Sequence, residues 1–139
     1  MKKSFMSVAV MCSLLFSSVA QSSDLEKIME EMGVQFNELK KAVVVNKSLD
    51  VEARTSSQKL NELLYLALPI EPNLEAITTD PAEKEKLLVL YRKIMSETLT
   101  AGYTAELGIV EADLTKTTDA ITLLGEKRRE AHALFRRRN

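Results

Sequence analysis

The chain has 139 residues, which is enough for one domain with a hydrophobic core and too few for two. Hydrophobic residues make up 45% of it but aromatic residues only 5%, and glycine and proline are scarce at 4 and 3. Sheet proteins normally use more aromatic and β-branched residues in strands and more glycine and proline in turns, so this composition favours helices. The formal net charge of −1 does not favour a nucleic-acid partner.

Residues 1–20 have the pattern of a signal peptide. Two lysines precede a mostly apolar run from Phe5 to Phe16, and small residues follow as far as Ala20. We therefore predict cleavage between Ala20 and Gln21, which leaves residues 21–139 as one exported domain. The apolar run is short for a bilayer span, so no stable membrane anchor is expected after cleavage. In a Gram-negative host the predicted location is the periplasm.

Cleavage would also change the chemistry available to the protein. It removes Cys12, the only cysteine, so the remaining chain can form no disulfide, no thiolate metal site and no Cys-x-x-Cys-His attachment of haem. It removes two lysines as well, which lowers Lys+Arg from 19 to 17 against 20 Asp+Glu and makes the net charge −3.

The first predicted helix begins at Asp24, with Ser23 or Asp24 as its N-cap, and fades near Val45-Asn46. Its apolar face, at spacings of three and four, is formed by Leu25, Ile28, Met29, Met32, Phe36, Leu39 and Val43.

The second helix has the weakest pattern of the four. Asn46 or Ser48 is its candidate N-cap, and its middle, Thr55-Ser56-Ser57, has low helix propensity. Its apolar face is formed by Leu49, Ala53, Leu60, Leu63, Leu64 and Ala67. Pro69 ends it, so residues 69–79 become the longest connection and the expected place of mobility.

Asp80-Pro81-Ala82-Glu83 is a strong helix start, with an acidic N-cap, proline at the first position and glutamate at the capping-box position. The third helix then runs to about Leu107, and a break near Gly108 leads to the fourth, which ends in Arg136-Arg137-Arg138. Four helices without a strand signal predict an all-α protein, most simply an antiparallel up-down-up-down four-helix bundle.

This topology would place the start of the first helix beside the end of the fourth. Met29 lies near that start and His132, the only histidine, near that end, so at about 1.5 Å per residue both lie within roughly 10 Å of one end of the bundle. A thioether and a neutral imidazole suit soft or borderline metals, and as an axial pair they match haem iron. A haem with both axial positions filled transfers electrons and offers no open position to a substrate.

Each of these residues also has a simpler interpretation. A single histidine near a helix C-terminus is often only a favourable charge at the negative end of the helix dipole. Met29 and Met32 have the spacing of core residues, and the terminal arginines that of a solvated helix end. The sequence shows no second histidine, no nucleophile beside a base and no glycine-rich phosphate loop, so an enzyme is not predicted.

Two segments of the chain resemble the soluble cytochrome b562 family of four-helix bundles. They are Asp24-Leu25-Glu26 through Met29 to Leu39-Lys40-Lys41-Ala42, and Arg128 through Ala131-His132 to Phe135-Arg136. Tyr91-Arg92 is also similar to an aromatic-arginine step on the family's third helix. The resemblance implies that Met29 and His132 are the axial ligands of one noncovalent b-type haem, and that Arg128 lies near the haem edge. It also favours Met29 over Met32.

We therefore expect a periplasmic, non-enzymatic electron-transfer protein that carries one haem b, is monomeric and exchanges electrons with an unidentified redox partner protein. The alternative from another class is a haem-free periplasmic bundle that acts as a binding or adaptor protein for unfolded or membrane-associated partners. The weak second helix and the long proline-bounded connection are the features that support this alternative.

Overall fold

A computed structural model of the chain describes residues 17–136, with side chains from Asp24 onward. Every regular element in this range is helical: α1 spans Ser17–Lys40 and continues into a π-helical turn, Lys41–Val45, while α2 spans Val51–Ala67, α3 Pro81–Val110 and α4 Leu114–Phe135. The predicted all-α class is confirmed for this part of the chain. None of the described helices combines the length and the apolarity that crossing a bilayer requires.

Consecutive helices pack against each other, α1 on α2, α2 on α3 and α3 on α4, in a manner compatible with a bundle. The backbones of α1 and α4 approach less closely, and the π-helical turn supplies most of their contact. The predicted apolar faces meet in one core, whose most buried side chains include Leu39, Val43, Leu64, Ile121 and Leu124. Burial of a side chain of this size contributes about 1.5–3 kcal/mol, so this core is the main source of stability.

α1 begins earlier than predicted. The expected start was Asp24, but the helix already runs from Ser17, so neither Ser23 nor Asp24 serves as its N-cap. A capping side chain is needed only where the chain enters a helix, and this chain enters upstream. Residues 1–16, which form most of the predicted signal peptide, lie outside the described residues, and the predicted cleavage site after Ala20 lies within α1.

The first helical segment ends at Val45, close to the predicted end, but its last turn is π-helical. The Asn46 N–H donates to the Lys41 carbonyl at 3.0 Å, which closes the wider turn. A π-helical turn accommodates one extra residue and is frequently found at functional sites. This turn lies between α1 and the loop that leads to α2.

The start of α2 was predicted wrongly. Its N-cap is Asp50, and neither Asn46 nor Ser48 takes that position. The Asp50 carboxylate accepts hydrogen bonds from the N–H groups of Glu52 at 3.0 Å and Ala53 at 3.2 Å. The Ser48 hydroxyl accepts from the Asp50 N–H at 3.3 Å instead, so it supports the cap from outside the helix.

The polar middle of α2 is helical in spite of its low propensity. The Thr55 hydroxyl donates to the Val51 carbonyl at 2.8 Å, while Ser56 and Ser57 are buried. Tertiary packing therefore overrides local preference here, as it commonly does in proteins. The helix ends at Ala67, just before Pro69, as predicted.

The long connection between α2 and α3 is fastened to α3. Leu74 is buried in it. Glu71 pairs with Arg92 at 3.1 Å, and Glu75 pairs with Lys84. These contacts give the connection a defined course along the start of α3.

The predicted start of α3 is confirmed, with one difference. Asp80 is the N-cap, Pro81 is the first helical residue, and the Asp80 carboxylate accepts from the Ala82 N–H at 3.0 Å. Glu83 does not reach back to the Asp80 N–H as a capping box requires. It accepts instead from the Thr78 hydroxyl at 2.6 Å, and that hydroxyl accepts from the Asp80 N–H at 3.2 Å.

The break between α3 and α4 does not lie at Gly108. α3 continues to Val110, and the chain turns at Ala112, whose φ of 55° is left-handed, before Asp113 caps α4. Gly108 instead allows α3 and α4 to pack closely, because a Cβ there would lie 2.4 Å from Oγ1 of Thr117 and 3.0 Å from its backbone nitrogen. Its role is close packing, which sequence spacing alone did not reveal.

We expect Gly102→Ala to lower the free energy of unfolding by about 1–3 kcal/mol, because the new Cβ would lie 2.1 Å from Oδ1 of the buried Asn61. Asn61 cannot easily move away, since its amide donates to Glu106 at 2.7 Å. Gly125→Ala is the matched control: its Cβ would meet Phe36 at an ordinary 3.4 Å, and alanine is the better helix former. Urea unfolding of both variants measures the difference, and equal stability would contradict this packing.

Candidate functional site

One side of α4 contacts α1 near the C-terminal end of the chain. The guanidinium carbon of Arg128 lies 5.5 Å from the centroid of the Phe36 ring, and Nη1 donates to Oδ1 of Asn37 at 3.5 Å. A Cβ on Gly33 would lie 3.3 Å from Nη2 of Arg128, and a Cβ on Gly125 would lie 3.4 Å from Cζ of Phe36. Two glycines thus face one aromatic ring and one arginine across the α1–α4 seam.

His132 lies one turn beyond Arg128 on α4, so both side chains project from the same side of the helix. Its side chain is exposed. Partial burial of the ring lowers the pKa of His132, and the positive charges of Arg128 and Arg136 lower it further. The imidazole is therefore neutral at pH 7, which is the form that can donate a lone pair to a metal.

Met29 lies one turn before Gly33 and two turns before Phe36, on the side of α1 that contacts α4. It is half-buried against the core. Met32 is only 8% exposed and belongs to the core cluster itself. Of the two methionines, Met29 is therefore the less buried.

An aromatic pair holds the end of α4 against α3. The rings of Tyr91 and Phe135 pack edge to face, with centroids 5.5 Å apart and planes at 84°. The Tyr91 hydroxyl donates to the Ala67 carbonyl at 3.4 Å, and burial raises the pKa of Tyr91 to about 12, so the phenol stays protonated. Because Phe135 lies three residues after His132, this contact fixes the helical turn that carries the imidazole.

Of the three predicted site residues, Arg128 is the one with a described contact between α4 and α1. Arg128 contacts α1 directly, and Met29 and His132 each lie one turn beyond that contact on their own helices. In the described part of the chain there is no group of three His, Cys, Asp or Glu side chains that could hold a metal ion. Met29 carries a thioether and His132 an imidazole, and this pair of donor types is the one that the two axial positions of a haem accept.

The sequence did not single out the residues that line the Arg128 contact. Phe36 was assigned only to the core face, and neither Gly33 nor Gly125 was predicted to have a role. A signal was present, because glycine costs about 0.5–1 kcal/mol in a helix interior relative to alanine. Two helix-interior glycines, one on each helix near the predicted ligands, mark positions where helix stability is not the main requirement.

Comparison of the chain with models of known protein families, with curated proteins and with solved structures found no match.

We expect His132 to titrate below its ordinary pKa of 6.5 in the folded protein. The unfolded chain therefore binds a proton at His132 more readily than the folded protein does. As a result, protonation does not reduce the free energy of unfolding above about pH 6.5, and it reduces that free energy progressively as the pH falls from there toward the folded pKa. Arg128→Gln should raise the pKa by removing a nearby positive charge, whereas Arg54→Gln on α2 should not. Proton NMR follows this single histidine directly. A pKa at or above 6.5 that does not change in Arg128→Gln would contradict the described electrostatics.

Proposed function

We propose that this chain is a periplasmic electron-transfer protein of the cytochrome b562 type. One b-type haem is bound noncovalently between Met29 and His132, which supply its two axial ligands. Arg128 lies beside the site. The protein works as a monomer and passes single electrons to and from a redox partner protein.

The proposal includes an antiparallel up-down-up-down arrangement of the four helices. The contacts across the α1–α4 seam support it: Gly33 meets Arg128, whereas Phe36, further along α1, also meets Gly125, earlier in α4. Residue numbers therefore increase along α1 in the direction in which they decrease along α4, as in an antiparallel pair of helices. The short turns before α2 and α4 also suit helices that reverse direction.

The contact pair Phe36–Gly125 is the observation that carries the ligand assignment. Met29 lies seven residues before Phe36, and His132 lies seven residues after Gly125. On antiparallel helices these equal steps correspond to about 10 Å in the same direction, so Met29 and His132 come level with each other. Met32 lies four residues from Phe36 and its side chain is buried in the core, which makes it the poorer candidate.

The chain's own residues suit this chemistry. A six-coordinate haem supplies a reversible one-electron couple, and methionine ligation favours the ferrous state. Arg128 and Arg136 help to keep His132 unprotonated, which preserves the lone pair that ligation needs. Because His132 is exposed, the histidine side of the site is accessible to a partner protein.

The two features that supported the adaptor alternative are ordered in the structure. The second helix is continuous from Val51 to Ala67. The long connection is tied to α3 through Glu71 and Glu75.

The test is titration of the purified protein with haemin. We expect a one-to-one complex with a low-spin, six-coordinate spectrum, and a sharp ferrous spectrum after reduction with dithionite. Absence of any low-spin complex in the unaltered protein would refute the proposed function.

Methionine variants test the ligand assignment separately. Met29→Leu should give a high-spin or mixed-spin complex, because the thioether is lost while the side-chain volume is nearly kept. Met32→Leu is the matched control and should keep the low-spin spectrum. The reverse pattern would show that Met32 is the ligand.

His132→Ala should leave a five-coordinate or haem-free protein. The variant removes the only imidazole in the chain, so no other histidine can replace it. Unchanged spectra would exclude His132 as a ligand. Helical circular dichroism of the same sample separates loss of the ligand from loss of the fold.

A further inference from the structure

A second site lies away from the α1–α4 seam, where the first helical segment passes into α2. The π-helical turn and the start of α2 form the walls of a polar groove of about 480 Å³. Its lining includes Glu38, Lys41, Ala42, Asn46, Glu52 and Ser56. Its volume falls within the roughly 300–1,000 Å³ of typical small-molecule pockets.

Ser56 gives this groove a polar floor. The residue is only 6% exposed and it lines the groove. The serine belongs to the polar stretch of α2 that helix propensity disfavours, and its hydroxyl can donate to or accept from a polar molecule in the groove.

The charged groups of the groove form no ion pairs within the described part of the chain. Neither Glu38 nor Glu52 forms an ion pair with a described residue, and Lys41 has no acidic partner there either. Glu38 and Lys41 belong to the α1 side of the groove, and Glu52 belongs to the α2 side. Two negative charges and one positive charge therefore face the same space from opposite walls.

We propose that this groove binds a small diamino acid, a molecule with two ammonium groups and one carboxylate. Its charges are the complement of the lining. The two ammonium groups pair with Glu38 and Glu52, and the carboxylate accepts from the Lys41 ammonium and the Asn46 amide. The aliphatic chain between them lies against Ala42, within reach of the Ser56 hydroxyl.

A metal ion is a poorer occupant of the same groove. Hard cations such as Ca²⁺ take six to eight oxygen ligands, and only two carboxylates line this space. The Lys41 ammonium would repel a cation placed between them. A ligand with a carboxylate of its own turns that charge into an attraction.

The experiment is a titration of the ¹⁵N-labelled protein with L-lysine, followed by NMR of the backbone amides. We expect saturable shifts confined to the groove, at Ala42, Asn46 and the first turns of α2. Glu38→Gln and Glu52→Gln should each weaken binding by roughly two- to fivefold, because each removes one exposed ion pair. Glu62→Gln, an exposed glutamate of α2 outside the groove, is the matched control and should bind as the unaltered protein does.

Two analogues test the proposed ligand class. Norleucine lacks the side-chain ammonium and 1,5-diaminopentane lacks the carboxylate, so both should bind more weakly than lysine. Equal binding of either analogue would overturn the assignment to diamino acids, and absence of shifts at the groove with millimolar lysine would overturn the site. Haem binding is not involved in this measurement, so its outcome is independent of the proposed electron-transfer function.

Discussion

The guanidinium of Arg128 lies across α1, over the ring of Phe36 and beside the backbone of Gly33. The rest of the candidate site depends on this contact. Together with the contact between Phe36 and Gly125, it shows which side of α4 faces α1 and gives the register from which the proposed levels of Met29 and His132 follow. The π-helical turn after α1 supplies most of the backbone contact with α4.

The residues at the contact between α1 and α4 contribute little net stability to the fold. An exposed cation–π contact contributes about 0.5–1 kcal/mol. Gly33 and Gly125, which lie at this contact, cost about 0.5–1 kcal/mol each relative to alanine in a helix. The arginine contact therefore at most balances the cost of the glycines. Local rules are commonly broken in this way at functional sites, and a binding role for the seam gives the glycines a reason.

Local patterns predicted the parts of this fold that are decided locally. The apolar faces follow from helical spacing, and Asp80-Pro81 carries its capping chemistry within one turn, so both were predicted correctly. The errors came from elements decided by tertiary packing. Gly108 resembles a helix break but lies inside α3 against Thr117, and the N-cap of α2 lies at Asp50 because the π-helical turn and its loop use the residues before it.

The candidate site divides in the same way. Periodicity places Met29 and His132 on helix sides that can face each other, and this much is readable from the sequence. Sequence alone gives neither the Phe36–Arg128 contact nor the effect of Arg128 on the pKa of His132, because both depend on how two helices distant in sequence are rotated about their axes. The groove at the π-helical turn could not be predicted from the sequence either, because no local sequence pattern indicates that turn.

The uneven packing also bears on how a cofactor would stabilise this protein. α2 and α3 are held on both sides by close neighbours, whereas α1 has one close neighbour, α2, and one distant one, α4. Local opening starts where buried contacts are fewest, so the ligand-free chain should open first along the α1–α4 seam. A ligand that binds only the folded form adds about 4 kcal/mol when present at 1,000 times its Kd. A haem held by Met29 and His132 would add that stability across the seam that the chain itself stabilises least, and the remaining helix pairs would need no help from it.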